Sequence, residues 1–548
     1  MGAQIDLDAV RDGELGARSR RTHRALVCSS TGCLSAGAAG VRAALKADVE
    51  AAEQSETIQI VPTGCRGICS RGPLVQVEPR GEDPTLYQHV DTDGAHAIAR
   101  DHLLGEGVTA DVEVVAPNLP FLEGQVKVVL ANAGRIDPER LEDSVAAGGY
   151  RALHTAITSM TPEQVLDQID RSGLRGRGGA GYPTGRKWKL LAEAPGTDKV
   201  VVANGDEGDP GAFMDRTIME SDPHRVLEGL AIAGYATGAE RGFLFLRAEY
   251  PLAIERLERA IRAAKRGRLL GKGIFGTDVT FNLEVRVGAG AFVCGEETAL
   301  LASIEGRRGT PTLRPPYPTE RGLWGQPTMI NNVETLANIP PIINRGPEWF
   351  RSLGTEESPG TKVFALAGSL TTTGLIEVPM GISLRTIVED MGEGVPGGRS
   401  FKAAQTGGPS GGCIPERFLD TPVDYEHLRA LGSMMGSGGL VVIDDSVSMP
   451  EFARFYMEFC RDESCGKCVP CRVGTVELHA LLDRICQGTG RQRDLRHLES
   501  LCRTVQATSL CGLGQSAPNP VVSTLEHFRS EYEALLTDVP AATTRGGS

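Results

Sequence analysis

Aromatic residues are sparse, at 5% of the 548-residue chain with three tryptophans, and no apolar run approaches the roughly 18 residues that a membrane span needs. A bilayer-crossing helix is therefore excluded. The opening stretch, MGAQIDLDAVRDGELGARSRRTHR, mixes acids with arginines and lacks an apolar centre, so a signal peptide is not expected. Residues 1–22 read as a flexible tail, and the protein is expected in the cytoplasm. Basic charge is in deficit. With 57 Lys and Arg against 70 Asp and Glu the net charge is -13, and a phosphate backbone, which calls for a basic patch, is not an expected partner.

What is abundant is cysteine, 13 residues in all, and in a reducing compartment tight groups of cysteine point to metal rather than to disulfides. In ESCGKCVPCRVGT, Cys465, Cys468 and Cys471 are spaced two apart and leave a four-ligand site one short. Cys460, Cys486 and Cys502 each fall on the apolar face of a helical pattern, where a free thiol behaves as a small core residue. Cys511 lies instead in TSLCGLGQSAPNP, among helix-breaking glycines and prolines, and is taken as the fourth ligand. One loop giving three ligands and a distant residue giving the fourth suits a [4Fe-4S] cluster; zinc, which favours two separated pairs, is the alternative. Near the N-terminus, Cys28 and Cys33 form C-x4-C, and Cys65 and Cys69 form C-x3-C. Two loops of one sheet bringing four thiols together suit a [2Fe-2S] cluster, with a zinc ribbon again the alternative.

The length allows about three or four domains. Residues 23–112 alternate short β-rich and helical runs, as in a small α/β layer, and the Pro-bearing EVVAPNLPFLEGQ reads as a linker. Residues 113–345 carry most of the glycine-rich motifs. Residues 346–440 suggest a small β-rich domain with one helix at SLRTIVEDMG, and residues 441–548 a helical bundle with a tail.

In GLRGRGGAGYPTGRKW the glycines spell G-x-G-x-x-G, yet a helical pattern precedes them and the strand follows, the reverse of a dinucleotide fingerprint. The expectation is a loop under a flat or phosphorylated ligand, with Arg175, Arg177, Arg186 and Lys187 supplying positive charge. NGDEGDPGAFMDR sets Asp206, Glu207 and Asp209 just past a strand end, where open α/β sheets place ligands. Glu296 and Glu297 open a helix after another glycine turn, either as ligand contacts or as first-turn residues suited to the helix dipole. Asn331 and Asn332 open a further helix, which makes a phosphate-binding start or a plain cap.

Taken in order, these motifs and the CGEETALLASIEGRRGTPTLRPPYP and GLWGQPTMINNVETLANI stretches resemble the flavin-bearing NADH-oxidising subunit of respiratory complex I. They resemble equally its relatives in NAD-dependent formate dehydrogenases and NAD-reducing hydrogenases, and the match spans about residues 120–520. The resemblance implies a multidomain α/β chain with a thioredoxin-like [2Fe-2S] domain, a Rossmann-like FMN and NADH domain, a β-grasp (SLBB-type) domain and a helical bundle bearing the [4Fe-4S] cluster. It implies FMN held by Gly176, Arg177, Gly178, Lys187, Asn204, Asp206, Glu207, Glu296, Asn331 and Asn332. NAD, the substrate, would stack near Tyr182, Lys187, Asp209, Glu297, Arg314 and Tyr317. No catalytic acid or base is implied, since hydride passes directly from nicotinamide to flavin.

Gly205, Gly208 and Asp209 follow the soluble diaphorases rather than complex I, and Phe292 stands where complex I usually has Tyr. No helical bundle precedes the first cysteines and no ferredoxin-like motifs follow Cys511. These departures make the β subunit of a formate dehydrogenase the expected identity, with a molybdenum or tungsten catalytic subunit and a small [2Fe-2S] subunit as partners. A hydrogenase diaphorase, a complex I flavoprotein subunit and a non-catalytic cluster scaffold are the alternatives.

Overall fold

The structure, a computed structural model, describes residues 4–105 and 109–538; the expected C-terminal tail AATTRGGS lies outside them. Three sheets follow one another along the chain, and helices close it. The first sheet is β1 (His23–Cys28), β2 (Ile58–Thr63), β3 (Val75–Pro79) and β4 (Thr85–Tyr87), in the order β2-β1-β3-β4. Strand β1 runs parallel to β2 and antiparallel to β3. Its Ala-Leu-Val-Cys run is fully buried, as a central strand covered on both faces must be, and its last residue is the first cysteine.

The expected tail is a helix, Leu7–Ser19. Asp6 caps it by accepting from the Asp8 and Ala9 N–H groups, Leu7 enters the core, and Glu14 is buried against Arg18 and Arg140. Both arginines also reach Asp143, so two acids and two bases close a ring. The charges that read as solvated in sequence are neutralised by residues more than a hundred positions away. The expected linker is likewise packed: Val115, Leu119 and Phe121 are buried in one cluster with Phe364, Leu366 and Ile376.

The second sheet comprises β5 (Val200–Gly205), β6 (Arg241–Arg247), β7 (Gly271–Lys272), β8 (Thr280–Gly288) and β9 (Thr328–Asn332), ordered β7-β8-β6-β5-β9. Strands β8, β6, β5 and β9 are parallel, so their carboxyl ends share one edge. The nearly all-apolar helix Pro223–Thr237 is buried on most sides, which the Leu-Ala-Ile-Ala-Gly run permits.

The third sheet comprises β10 (Thr361–Gly368), β11 (Gly374–Pro379), β12 (Phe401–Thr406), β13 (Cys413–Pro415) and β14 (Gly439–Asp444), ordered β11-β10-β14-β12-β13. Strand β14 crosses the boundary expected at residue 440. The small, mixed FKAAQT run gave no strand signal, and the expected helix at SLRTIVEDMG is one wide turn, Thr386–Met391. Beyond β14 come the helices Met449–Asp462, Val469–Cys486, Gln492–Thr508 and Asn519–Ala534, whose buried stripes include Cys460 and Cys502.

A buried ion pair joins the second sheet to the third. Lys362 on β10 and Glu334, just past β9, are 0% and 1% exposed and bonded to each other, and Glu334 also accepts the Val363 N–H at 2.9 Å. Lys362→Met should strand a buried carboxylate and cost about 3–5 kcal/mol, read as a lowered thermal midpoint. Lys362→Met with Glu334→Gln should recover part of the loss; an unchanged midpoint in the single variant would show that the pair does not stabilise this junction.

Candidate functional site

The shared carboxyl edge of the second sheet gathers most of the glycine-rich motifs. Register places Asn204 of β5 beside Asn332 of β9 and Phe245 of β6. Asn204 donates to Gly295 O at 2.9 Å and accepts from the Asp206 N–H at 3.0 Å, which ties the acid loop to the turn before the helix Glu297–Ile304. Residues 173–183 loop between the helices Pro162–Arg171 and Thr184–Glu193. Gly178 lies against Asn332: a Cβ there would meet the Asn332 Cβ at 2.9 Å, so only glycine lets the loop lie this close to the strand ends.

Side chains expected as ligand contacts divide into those that brace the loops and those that face outward. Arg177 is fully buried, and its guanidinium donates to Thr361 O, Pro359 O and Arg175 O while its N–H donates to Thr335 Oγ1. It braces the glycine loop from behind. Glu207 is spent on the Asp215 and Arg216 N–H groups. Glu296 caps the helix Glu297–Ile304 through the Thr298 and Ala299 N–H groups. Asn332 caps its own helix and donates to Asp215, and Asn331 accepts from Trp188 Nε1 at 2.9 Å. Gly176 is held by the Tyr425 hydroxyl, which donates to its carbonyl at 2.7 Å. Glu297, by contrast, pairs with Lys187 at 2.7 Å and Arg314 at 3.4 Å, and Lys187 lies 5.7 Å from the centre of the Tyr182 ring. Tyr182 and Tyr317 are exposed. Asp206 bridges to Arg247 at 2.9 Å, yet burial pushes its carboxyl up to about 7. Burial likewise pushes Asp209 up to about 6, against a hydrogen bond from Ser437 Oγ at 2.8 Å. Arg247, Asp215, Trp188, Thr335 and Tyr425 belong to this assembly and were not anticipated, because each acts on a residue distant in sequence.

The C-terminal cysteines meet. Cys465, Cys468, Cys471 and Cys511 line a single small cavity together with Val293, Pro311 and Leu513. Gly514 closes it: a Cβ there would lie 3.0 Å from Cys471 Cβ and 2.5 Å from Ser509 Oγ. The cysteine loop is fastened to the second sheet's turns, Arg308 donating to Cys465 O at 2.9 Å and Phe292 N–H to Glu463 at 2.9 Å, while Lys467 donates to Pro311 O. Four thiols sharing one cavity suit a multinuclear cluster.

The N-terminal cysteines also meet, at the end of β1 and in the loop after β2. Cys65 and Cys69 Sγ are 3.8 Å apart, and hydrogen bonds from Cys33 and Cys65, with N–H groups of Ser30 and Arg66, hold the Cys28 thiol well below its usual range. The Gly67 N–H points at Cys65 Sγ at 3.3 Å. Four thiols ringed by N–H donors have the chemistry of an anionic sulfur site. The group is buried between parts of the chain: the Cys65 N–H donates to Ser221 Oγ, Arg256 donates to Ser29 O, and the Leu375 N–H donates to Gly67 O at 2.7 Å.

Sequence comparison gives the second sheet's carboxyl edge and the C-terminal cysteine cavity a family. Residues 169–341 match the model of the Nuo51 FMN-binding domain, and residues 451–535 the NADH-ubiquinone oxidoreductase-F iron-sulfur binding region, a span that includes Cys465, Cys468, Cys471 and Cys511. The fold and site thus define an oxidoreductase subunit that binds FMN, a [4Fe-4S] cluster and NADH. The NADP-reducing hydrogenase subunit HndC of Solidesulfovibrio fructosivorans is 54% identical over 76% of this chain and 84% of its own. Two NADH-quinone oxidoreductase F subunits, of Rhizobium meliloti and Aquifex aeolicus, are 47% and 40% identical over 74% and 76% of this chain and 97% and 96% of their own. The chain belongs to this family of NADH-quinone oxidoreductase F subunits. A crystal structure of an NAD+-reducing [NiFe]-hydrogenase in the H2-reduced state matches 98% of this chain and 91% of its own, with a TM-score of 0.68 and 28% identity. No helix among the described residues is long and apolar enough to cross a membrane.

Replacing Cys511 by Ser should lower the iron content and change the electron paramagnetic signal of the reduced cluster. Cys502→Ser, in the helical core, should leave both near wild type. The reverse pattern would assign the fourth ligand to Cys502.

Proposed function

We propose that this chain is the diaphorase subunit of a larger electron-transfer complex, moving hydride between NAD(H) and FMN and electrons between FMN and its iron–sulfur centres. The carrying observation is the fastening of the four-cysteine cavity, through Arg308, Lys467 and Glu463, onto the turns beside the strand ends that bear Asn204 and Asn332. FMN, when bound, supplies the exchange between two-electron hydride and single electrons. The chain's own work is placement: Gly176 and Gly178 keep the loop flat, Asn204, Asp206, Asn331 and Asn332 line the strand ends, and Arg177, Glu207 and Glu296 hold the loops that surround them. Tyr182, Lys187, Asp209, Glu297, Arg314 and Tyr317 form the nucleotide side, and no side chain need act as acid or base.

Cys28, Cys33, Cys65 and Cys69 hold a [2Fe-2S] cluster in this reading, in a thioredoxin-like module; the third sheet is the β-grasp, SLBB-type domain. The partner expected from sequence was a formate dehydrogenase, on the strength of all the departures taken together. None of the relatives described above is one, and the match to a hydrogenase chain over nearly the full length favours a hydrogenase-type assembly, with a complex I-type assembly next. Mass spectrometry of the natively purified complex, with hydrogen and formate assays, tests this: a nickel–iron partner with hydrogen-dependent NAD reduction is expected, and a molybdenum or tungsten partner with formate-dependent reduction would restore the formate reading.

Nucleotide choice rests on Glu297 and Asp209, acids that oppose a 2′-phosphate. Both are partly offset, Glu297 by Lys187 and Arg314 and Asp209 by its proton affinity. The chain should prefer NADH to NADPH by roughly tenfold in kcat/KM with an artificial acceptor, one charge contact's worth. Glu297→Gln, which frees two cations, should narrow that preference. Equal efficiency in the wild type would overturn the assignment, and an NADP-reducing relative makes the measurement pointed.

A further inference from the structure

The free edge of β11 lays two segments side by side. Leu375 takes the loop bearing Cys65 and Cys69 through Gly67 O, and two residues on, Glu377 O accepts the Val126 N–H at 3.0 Å. The Glu377 carboxylate then accepts the N–H groups of Val128, Val129 and Leu130 at 2.8–2.9 Å. Lys127 is thereby fixed on both sides of its own backbone, next to the cysteine loop. Arg66 follows Cys65 directly and lies against Gly134, whose Cβ would sit 2.3 Å from Arg66 Cγ, so the turn before Arg135 packs on it. Arg66 Nε is buried without a hydrogen-bond partner. Neither Arg66 nor Lys127 forms a salt bridge among the described residues; the charges around them are each other, Arg135, the carboxylates of Glu78 and Glu377, and the thiols of Cys28 and Cys65. In a chain with net charge -13, unpaired cations gathered on four cysteines are a charge-complementary arrangement.

We propose that Arg66 and Lys127, with Arg135 outside them, form a cationic cradle that favours the reduced, more negative state of the iron–sulfur centre held by Cys28, Cys33, Cys65 and Cys69, and so raises its reduction potential. This rests on the reading of those cysteines as a [2Fe-2S] site. The physical ground is that a cluster's potential follows its net charge, the hydrogen bonds to its sulfurs and its exposure, and that a nearby fixed cation in a partly buried site is weakly screened. The N–H groups of Arg66 and Gly67 supply the hydrogen bonds, and the side chains of Arg66 and Lys127 the charge.

The test is a redox titration of the full chain, loaded with its cofactors and followed by electron paramagnetic resonance, alongside iron and sulfide content. Lys127→Met should keep wild-type iron and shift the N-terminal centre about tenfold toward its oxidised form at fixed potential, about 59 mV lower for one electron. Lys127→Arg should restore the wild-type midpoint, and Arg66→Gln should lower it as Lys127→Met does. Unchanged midpoints in both Lys127→Met and Arg66→Gln at full iron content would overturn the cradle. A wild-type chain with only the iron and signal of the [4Fe-4S] cluster would instead overturn the [2Fe-2S] reading beneath it.

Discussion

The exposed edge of a sheet is a row of unsatisfied backbone groups, and in this protein the edge at β11 is where three parts of the chain are made to meet. Gly374 has a φ of 152°, and a side chain on it would strike Gly67 O at 1.8 Å, so the cysteine loop can reach the strand only over glycine. Once Gly67 is docked, the end of β1 and the four N-terminal thiols are fixed against the second and third sheets. Glu377, buried and bonded to three N–H groups and the Thr361 hydroxyl, fixes the segment that reads as a linker in sequence. Removing any one of these contacts would leave buried polar groups without partners, which costs more than the bond itself is worth.

The same economy governs the flavin side. Most of the charged residues around the strand ends hold backbone: Arg177 takes three carbonyls, Glu207 two N–H groups, and Glu296 two more. Irregular glycine-rich loops would otherwise carry unmet donors and acceptors, and a site that must place a flat cofactor within ångströms needs its loops stiff. What remains facing outward is a short set, Lys187, Glu297 and Arg314 with two exposed tyrosines, in which Glu297 pairs with both cations.

Sequence patterning reached unevenly into this arrangement. The cysteine spacings were legible because they are local: three thiols two residues apart, and a C-x4-C and a C-x3-C pair. The helix-face argument set Cys511 apart from Cys460 and Cys502, and those two lie in the helical core while Cys511 lines the cavity. Strands β5 and β8 announced themselves by β-rich runs ending in glycine, whereas β9 did not: Asn331, read as opening a helix, lies on the strand Thr328–Asn332, and only Asn332 caps the helix that follows. The N-terminal helix did not, since Glu14 and Arg18 look solvated until Arg140 and Asp143 are brought to them. Strands β12 and β13 lacked signal because FKAAQT and CIP are short and small, and neighbours supply their hydrophobic cover.

By itself, then, the sequence determined the chemistry: which thiols can ligate, which loops can approach a ligand, and that the chain belongs with flavin- and cluster-bearing NADH oxidoreductases. Those are properties of residue type and short-range spacing. Tertiary structure alone decided which charged side chains face outward and which brace a loop, that Arg177 is buried while Lys187 is not, and that the segment of Lys127 docks on the same strand edge as the loop of Cys65. Burial and pairing depend on partners from remote segments, so the same arginine reads identically in sequence whether it ends on a phosphate or on three carbonyls.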